Sequence, residues 1–195
     1  MVLASQSPRR KTMFAEQRIP VRIVAAHIDE TRLPEEAPLD YVKRISGAKA
    51  MKVASQLATE QDLPFIVAAD TIVLHDGDIL SKPSNEEDAF RMLRRLSDAT
   101  HSVITGWTVG KTGESWTVSH TETRVTFHRL SDSEIQSYIR TGEPNDKAGA
   151  YAIQGIGGYL VKEIAGDFYN VVGLPISQVV RALIQHGAIK GFLQQ

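Results

Sequence analysis

Residues 65–74 are apolar except for Asp70 and Thr71, and they are rich in β-branched side chains. This pattern predicts a buried central strand. The dipeptide Asp76-Gly77 comes shortly afterwards and predicts a tight hairpin turn into a returning strand. An ionised Asp70 inside such a strand is costly to bury unless it is paired, hydrogen-bonded or metal-bound. We interpret Asp70 as a metal ligand or general base, and the alternative is a structural aspartate at the strand end.

The rest of the chain alternates between the two periodicities of regular secondary structure. A capping box of Ser131 and Glu134 predicts a further helix that ends near Gly142. Together these patterns predict a mixed α/β protein. The other predicted strands cover residues 2–5, 21–26, 101–110, 115–128 and 159–165, and the other predicted helices cover 8–17, 39–59, 88–96 and 175–186.

Composition limits the classes of function. The chain has 195 residues and a formal net charge of -1, so overall attraction to nucleic acid is not predicted. It contains no cysteine, which excludes disulfides, a thiol nucleophile and cysteine-ligated zinc. No apolar run approaches the ~20 residues of a membrane span, and the start lacks the apolar core of a signal peptide. We expect a cytoplasmic protein without a membrane partner.

A concentrated basic site is predicted near the start of the chain. Ser7 suits a helix N-cap and Pro8 the first helical position, so Arg9, Arg10 and Lys11 fall in the first helical turn. The free backbone N–H groups of that turn add to the positive charge and predict an anion site that suits phosphate. The alternative is a solvated basic helix start.

Two further segments contain candidate charges. Lys82 follows the predicted hairpin, and the returning strand is expected to bring it close to Asp70, where it could hold a phosphate oxygen. The alternative is a surface ion pair of little value. Glu30 follows the second predicted strand and offers a second carboxylate, although a solvated loop acid is the alternative. Lys49 lies on the long helix and is ambiguous by itself.

Residues 142–155 are rich in glycine, irregular and mixed in charge, which is typical of a functional loop. The amide of Gln154 offers one acceptor and two donors and could bind a base edge, and the alternative is a turn glutamine. Combined with the cations and carboxylates above, this loop predicts a ligand with several negative groups and at least one divalent cation.

Two glycine patterns are excluded as nucleotide motifs. Residues 106–112 are one residue short of a phosphate-binding P-loop and precede a hairpin, and residues 155–158 do not have dinucleotide-binding spacing. The six histidines lack zinc-ligand spacing.

Five segments in this order resemble the Maf family of nucleotide pyrophosphatases: LASQSPRR, AADTIVLHDGDILSKP, DAFRMLRRLSDATHSVITGW, GEPNDKAGAYAIQG and YNVVGLPI. The resemblance extends over essentially the whole chain. It implies one α/β domain over residues 1–195, with two lobes around a central mixed, twisted sheet and a cleft, similar to the inosine triphosphate pyrophosphatases. It also implies cleavage of nucleoside triphosphates to the monophosphate and pyrophosphate, a divalent cation such as Mg²⁺ or Mn²⁺, and a homodimer.

Within that family, SPRR, ADT and DKAGAYxIQG resemble the branch that acts on dTTP and UTP rather than the branch that acts on 7-methyl-GTP. The resemblance implies that Arg9, Thr71 and Gln154 determine specificity and that Asp70 is the proton acceptor. It also implies a conserved polar set, in which Glu30 joins Asp70 at the metal and the phosphate ligands are Ser5, Arg10, Lys49, Lys82 and Lys147. Ser81 and Ala152 stand where glycine is common in the family, and neither change removes a charge.

Two alternatives to this activity stay open. The chain could be a regulatory or binding protein of cell division and septum formation, or it could perform the same chemistry on another modified base. A pure binding protein has no reason to keep Asp70, Glu30 and Lys82 together, so their presence favours an enzyme.

Overall fold

The computed structural model describes residues 1–190, so the last five residues of the predicted domain lie outside the described part. The strands are β1 (Val2–Leu3), β2 (Arg22–Ile23), β3 (Ile66–His75), β4 (Asp78–Leu80), β5 (Thr100–Gly110), β6 (Trp116–Phe127) and β7 (Val161–Ala165). The α-helices are α1 (Pro8–Glu16), α2 (Pro38–Gln56), α3 (Glu86–Leu96), α4 (Asp132–Ile139), α5 (Phe168–Val172) and α6 (Ile176–Gln185). None of these helices combines the length and apolar character needed to cross a bilayer.

The strands form one mixed sheet in the order β2-β1-β3-β5-β6-β7, with β4 paired to β3. β1 is parallel to both of its neighbours, since Val2 lies opposite Arg22 on one side and Ile66 on the other. β4 is antiparallel to β3 and β7 is antiparallel to β6. The predicted mixed α/β fold with a central mixed sheet is therefore confirmed.

The predicted hairpin between β3 and β4 is present. Asp76 has φ +50° and Gly77 φ +83°, the left-handed pair that a two-residue hairpin turn needs. β4 has only three residues, and its last pair joins Leu80 to Val73. The paired ladder ends at Leu80, two residues before Lys82, so the expected closeness of Lys82 to Asp70 stays a prediction.

The helix starts agree with the sequence patterns except in one cap. Ser131 and Glu134 form the capping box of α4, and the Asn85 side chain accepts from the Asp88 N–H at 2.8 Å. Ser7 occupies the N-cap position of α1, but its side chain makes no cap hydrogen bond. The Ser7 N–H donates to Ser5 Oγ instead, at 3.2 Å.

The chain divides into two compact units that alternate along the sequence. The first contains Met1–Asp70, Thr105–His120 and the chain from Gly173 onward, and the second contains Thr71–Ile104 and Thr121–Val172. Each has its own apolar core. The core of the first is built from Val2, Ala4, Ala50, Val53, Ala54, Ile66 and Ala68. The core of the second includes Leu93, Leu96, Val125, Phe127, Ile135, Tyr138 and Leu160.

The glycines of residues 106–112 have a packing role. A Cβ on Gly106 would lie 2.2 Å from the carbonyl oxygen of Val42, so glycine allows β5 to approach α2 closely. A Cβ on Gly110 would lie 2.5 Å from the Trp116 ring. Both glycines belong to a strand and its contacts rather than to a phosphate-binding loop.

Candidate active site

The centre of the site in the first unit is the ammonium of Lys49, which lies between two carboxylates. Lys49 Nζ donates to Asp70 Oδ1 at 2.8 Å and lies 3.1 Å from Glu30 Oε1. The Lys49 and Asp70 side chains are only 11% and 12% exposed, whereas that of Glu30 is 49% exposed. A shielded ion pair therefore opens toward solvent on the side of Glu30.

Three elements of the first unit position this cluster. β3 places Asp70 after the buried residues Ile66 to Ala69, and α2 contributes Lys49. α2 also contributes Tyr41, two steps of four residues before Lys49 and thus on a nearby part of the helix surface. The Tyr41 hydroxyl donates to the backbone oxygen of Glu30 at 2.8 Å and anchors the loop that contains this carboxylate.

Tyr41 is a site residue that the sequence reasoning missed. Partial burial raises its pKa, and the negative charges of Asp70 and Glu30 raise it further. Tyr41 therefore keeps its proton and remains a hydrogen-bond donor at neutral pH. A tyrosine at helical spacing looks like a core residue in the sequence, so its spacing from Lys49 was the one available signal.

Arg10 holds the backbone of β3 directly before Asp70. Its Nε donates to Gly173 O at 2.8 Å, and its Nη1 donates to Ala69 O at 2.9 Å and Ser5 Oγ at 3.1 Å. The residue is only 9% exposed. Burial lowers the pKa of Arg10, whereas the charge of Asp70 opposes that shift. The structure thus joins Ser5 and Arg10 to the β3 backbone next to Asp70.

The second unit contains the other predicted lysines and Gln154. The Gly149 N–H donates to Ser81 O at 3.1 Å, which brings the segments that contain Lys82 and Lys147 together. Lys147 Nζ pairs with the carboxylate of Asp146 and lies 3.4 Å from Glu143 O. Lys82 and Gln154 are exposed.

The remaining specificity candidates, Arg9 and Thr71, are both half-buried. Arg9 is half-buried in the first turn of α1, and Thr71 is half-buried directly after Asp70 on β3. Arg9 belongs to the first unit, whereas Thr71 and Gln154 belong to the second.

Glu30 and Asp70 have the donor chemistry for a divalent cation. Mg²⁺ is usually held by one or two carboxylates together with substrate phosphates and water, rather than by an all-protein cage. Among residues 1–190, no cluster of three or more histidine, cysteine or acidic side chains could enclose a metal. A pair of carboxylates that share Lys49 fits a cation that arrives with a polyphosphate.

Comparison with known proteins places this arrangement in a family. The model of the family described as Maf-like protein matches residues 1–186. The chain belongs to the Maf-like protein family. The predicted family resemblance is thereby confirmed.

Relatives of this Maf-like protein are similar to it over nearly their full length. A dTTP/UTP pyrophosphatase of Halalkalibacterium halodurans is 48% identical over 187 residues, which is 96% of each chain. A dTTP/UTP pyrophosphatase of Geobacter sp. (strain M21) is 45% identical over 190 residues, covering 97% of this chain and 96% of that one.

The fold is also similar to that of a solved structure. A HAM1 protein from Coxiella burnetii superposes with a TM-score of 0.52 at 14% identity, covering 94% of this chain and 98% of that one. At this low identity, the superposition shows that the two proteins share a fold.

Proposed function

We propose that this protein hydrolyses dTTP and UTP to the monophosphate and pyrophosphate. The observation that carries the proposal is the shielded Asp70 carboxylate, held 2.8 Å from Lys49 within β3, directly after four buried residues. The alignment with dTTP/UTP pyrophosphatases over almost the whole chain supports the choice of substrates. The remaining features of the first unit give this carboxylate a defined chemical task.

Asp70 is the proposed proton acceptor for the attacking water. Lys49 holds its carboxylate in the free protein, and Arg10 holds the backbone of the preceding residue, Ala69. A carboxylate is a weak base at neutral pH, so the water needs further activation. Glu30 and Asp70 would hold a divalent cation, Mg²⁺ or Mn²⁺, which when bound lowers the pKa of water and neutralises phosphate charge. The cation requirement is part of the proposal.

The cations of the site are the proposed phosphate ligands. Lys49, Lys82 and Lys147 supply ammonium groups. Arg10 lies in the first turn of α1, whose N–H groups favour anions, and it donates to the Ser5 hydroxyl. In the free protein Lys49 and Lys147 are paired with carboxylates. The phosphate oxygens of a bound triphosphate can replace these carboxylates as partners of the two ammonium groups. The lysines are therefore ion-paired both before and after the substrate binds.

Arg9, Thr71 and Gln154 are the proposed readers of the base. Uracil and thymine present a 4-keto acceptor beside an N3–H donor, and a glutamine amide can match both. Cytosine presents the reverse pattern at the same atoms. We therefore expect CTP to be a poorer substrate than UTP.

The proposal extends to the state of the protein. We propose that residues 1–195 act as a single domain, as a homodimer in the cytoplasm, on free nucleotides rather than on nucleic acid or membranes. The net charge of -1 supports the choice of a small anionic substrate over nucleic acid, because it gives no overall attraction to a polyanion.

The direct test is pyrophosphate release from a nucleotide panel with Mg²⁺, Mn²⁺ or chelator. We expect metal-dependent release from dTTP and UTP, and much slower release from CTP, dCTP, GTP, ITP and 7-methyl-GTP. Faster release from 5-methyl-UTP or pseudo-UTP would make a modified pyrimidine the substrate. Release from 7-methyl-GTP or ITP alone would contradict the proposed base reading, and no release from any nucleotide would contradict the proposed reaction.

A further inference from the structure

The carboxylate of Glu143 binds the backbone on the C-terminal side of Gln154. Glu143 Oε1 accepts from the Ile156 N–H at 3.1 Å, and Oε2 accepts from the Gly157 N–H at 2.8 Å. Oε2 also accepts from the Tyr138 hydroxyl at 2.8 Å. One side chain thus holds two consecutive peptide N–H groups of the loop that contains Gln154.

Two glycines of this loop allow its backbone to lie close to Glu143 and Tyr138. Gly155 has φ +94°, and a Cβ there would lie 2.3 Å from Glu143 Oε1. A Cβ on Gly157 would lie 2.4 Å from the Tyr138 hydroxyl. The close approach of the backbone to Glu143 at Gly155 and to Tyr138 at Gly157 therefore requires glycine at both positions.

Tyr138 extends the same network to the N-terminal side of Gln154. Its hydroxyl accepts from the Ala152 N–H at 3.1 Å while it donates to Glu143. Tyr138 is 1% exposed on α4, so the network is anchored in the core of the second unit. Burial raises the pKa of Tyr138 and the bond to Glu143 raises it further, so this hydroxyl remains a donor.

Gln154 itself is exposed and lies between these two anchored ends. A glycine-rich loop loses much conformational entropy when it is ordered on a ligand. The bonds to Ala152, Ile156 and Gly157 restrict the loop before a ligand arrives, and this kind of preorganisation improves binding.

We propose that Glu143 is a positioning residue that fixes the amide of Gln154 for base recognition. This inference rests on the proposed function, since it assigns to Glu143 an effect on specificity that acts through Gln154. It predicts that Glu143 influences which base is accepted, while the cluster of Asp70, Lys49 and Glu30 determines the rate of the chemical step.

The experiment compares kcat and KM for UTP and CTP in Glu143→Gln, Gln154→Ala and the double variant. The glutamine amide has one oxygen, so its NH₂ group must face the N–H of Ile156 or Gly157 and lose that bond. We expect Glu143→Gln to lower the UTP-to-CTP ratio of kcat/KM about tenfold, the scale of one lost hydrogen bond to a charged acceptor. The loss should lie in the KM for UTP, with kcat retained.

The double variant separates positioning from a general structural role. If Glu143 acts through Gln154, adding Glu143→Gln to Gln154→Ala lowers the ratio no further. A full additional loss in the double variant would overturn the inference, as would an unchanged ratio in Glu143→Gln when Gln154→Ala lowers it. An unchanged ratio in Gln154→Ala would instead remove base reading by Gln154, and the inference with it.

Two further variants control for folding. Tyr138→Phe removes only the hydroxyl and keeps the ring in the core, so it should lower the UTP-to-CTP ratio in the same direction while thermal unfolding stays cooperative. Glu163→Gln changes an exposed glutamate on β7 and should leave the ratio unchanged. A Tyr138→Phe variant that is folded and fully selective would contradict the network.

Discussion

Asp70 is a charged residue that follows buried apolar residues in β3 and is paired with a lysine. The four residues before it are at most 1% exposed, while its own carboxylate meets the ammonium of Lys49 at 2.8 Å. Lys49 in turn lies 3.1 Å from Glu30 Oε1. An aspartate held in this way has a fixed ammonium partner at a position shielded from bulk solvent, which suits a group that accepts a proton from a bound water.

Replacement of Asp70 by asparagine tests this role. Asp70→Asn keeps the shape of the side chain and leaves Lys49 paired with Glu30, so the fold should persist. We expect kcat for UTP to fall about 10²- to 10⁴-fold, the range of general acid–base catalysis. Steady-state kinetics with circular dichroism as the folding check would measure this.

The matched control is Asp62→Asn, which changes an exposed aspartate outside the helices and strands of the same unit. It should turn over UTP at the rate of the unaltered protein. If Asp70→Asn also kept a near-normal rate, Asp70 would have no part in the chemistry.

The sequence identifies Asp70 because a charge in an apolar β-branched run is unusual. Tyr41 and Glu143 lacked such a signal. Tyr41 stands among the apolar positions of a helix, and Glu143 looks like one more solvated acid in a polar loop. Their roles come from hydrogen bonds to backbone groups 11 and 14 residues away in sequence, which no local pattern predicts.

The contact between α2 and β5 shows how one glycine determines the packing of two elements. Gly106 lies where a Cβ would meet the Val42 carbonyl at 2.2 Å, whereas a Cβ on Gly47 of α2 would meet nothing within 4 Å. The two positions therefore form a matched pair for the same substitution.

Gly106→Ala should lower the free energy of unfolding by about 3 kcal/mol or more, since overpacking against backbone forces β5 and α2 apart. Gly47→Ala should raise it by about 0.5–1 kcal/mol, because alanine costs less backbone entropy in a helix. Urea denaturation with both variants measures the difference. Equal effects at the two positions would contradict the close contact.

His101 on β5 connects that strand to the loop that contains Gln154. Its Nε2 lies 2.8 Å from the Tyr151 hydroxyl, and its ring packs edge-on against Phe127 at 5.0 Å between centroids. Burial, together with a smaller contribution from the charge of nearby His75, lowers the pKa of His101 from 6.5 to about 3. The folded protein therefore holds a neutral imidazole.

The lowered pKa of His101 makes the free energy of unfolding decrease as the pH falls. Below pH 6.5 the unfolded chain binds a proton at His101 that the folded protein does not, until pH falls to about 3. Within that window, the free energy of unfolding should therefore fall by about 1.4 kcal/mol for each unit by which the pH decreases.

Urea denaturation of the unaltered protein, His101→Gln and His128→Gln at pH 7, 6, 5 and 4 isolates the effect. His101→Gln should lose this part of the pH slope, whereas His128→Gln, at an exposed histidine, should retain it. The same slope in all three proteins would contradict a neutral buried His101.

Over the whole chain, the sequence predicts the succession of helices and strands better than their arrangement. The long strands β3, β5 and β6 and the capped helices were predicted within a few residues. The sheet order was not, because the pairing of β1 with β3 joins residues such as Val2 and Ile66 through long-range contacts. The short helix α5 was missed, since five residues are too few to display a helical period.

The family resemblance implied two lobes, but no local pattern in the sequence predicts where the two units begin and end. β3, β5 and β6 each pass from one unit to the other, and the first change falls between Asp70 and Thr71. No linker or shift in composition marks these places. Asp70, the candidate proton acceptor, and Thr71, a candidate for base reading, are therefore neighbours in sequence but belong to different units.

We propose that the Asp70 cluster directs a water molecule to the α-phosphorus of a pyrimidine nucleoside triphosphate. Hydrolysis of UTP in ¹⁸O-labelled water, followed by mass spectrometry of both products, tests it most directly. We predict that the label enters UMP and that the pyrophosphate released remains unlabelled. Label in pyrophosphate, or release of inorganic phosphate with UDP, would contradict attack at the α-phosphorus and the role assigned to the Asp70 cluster.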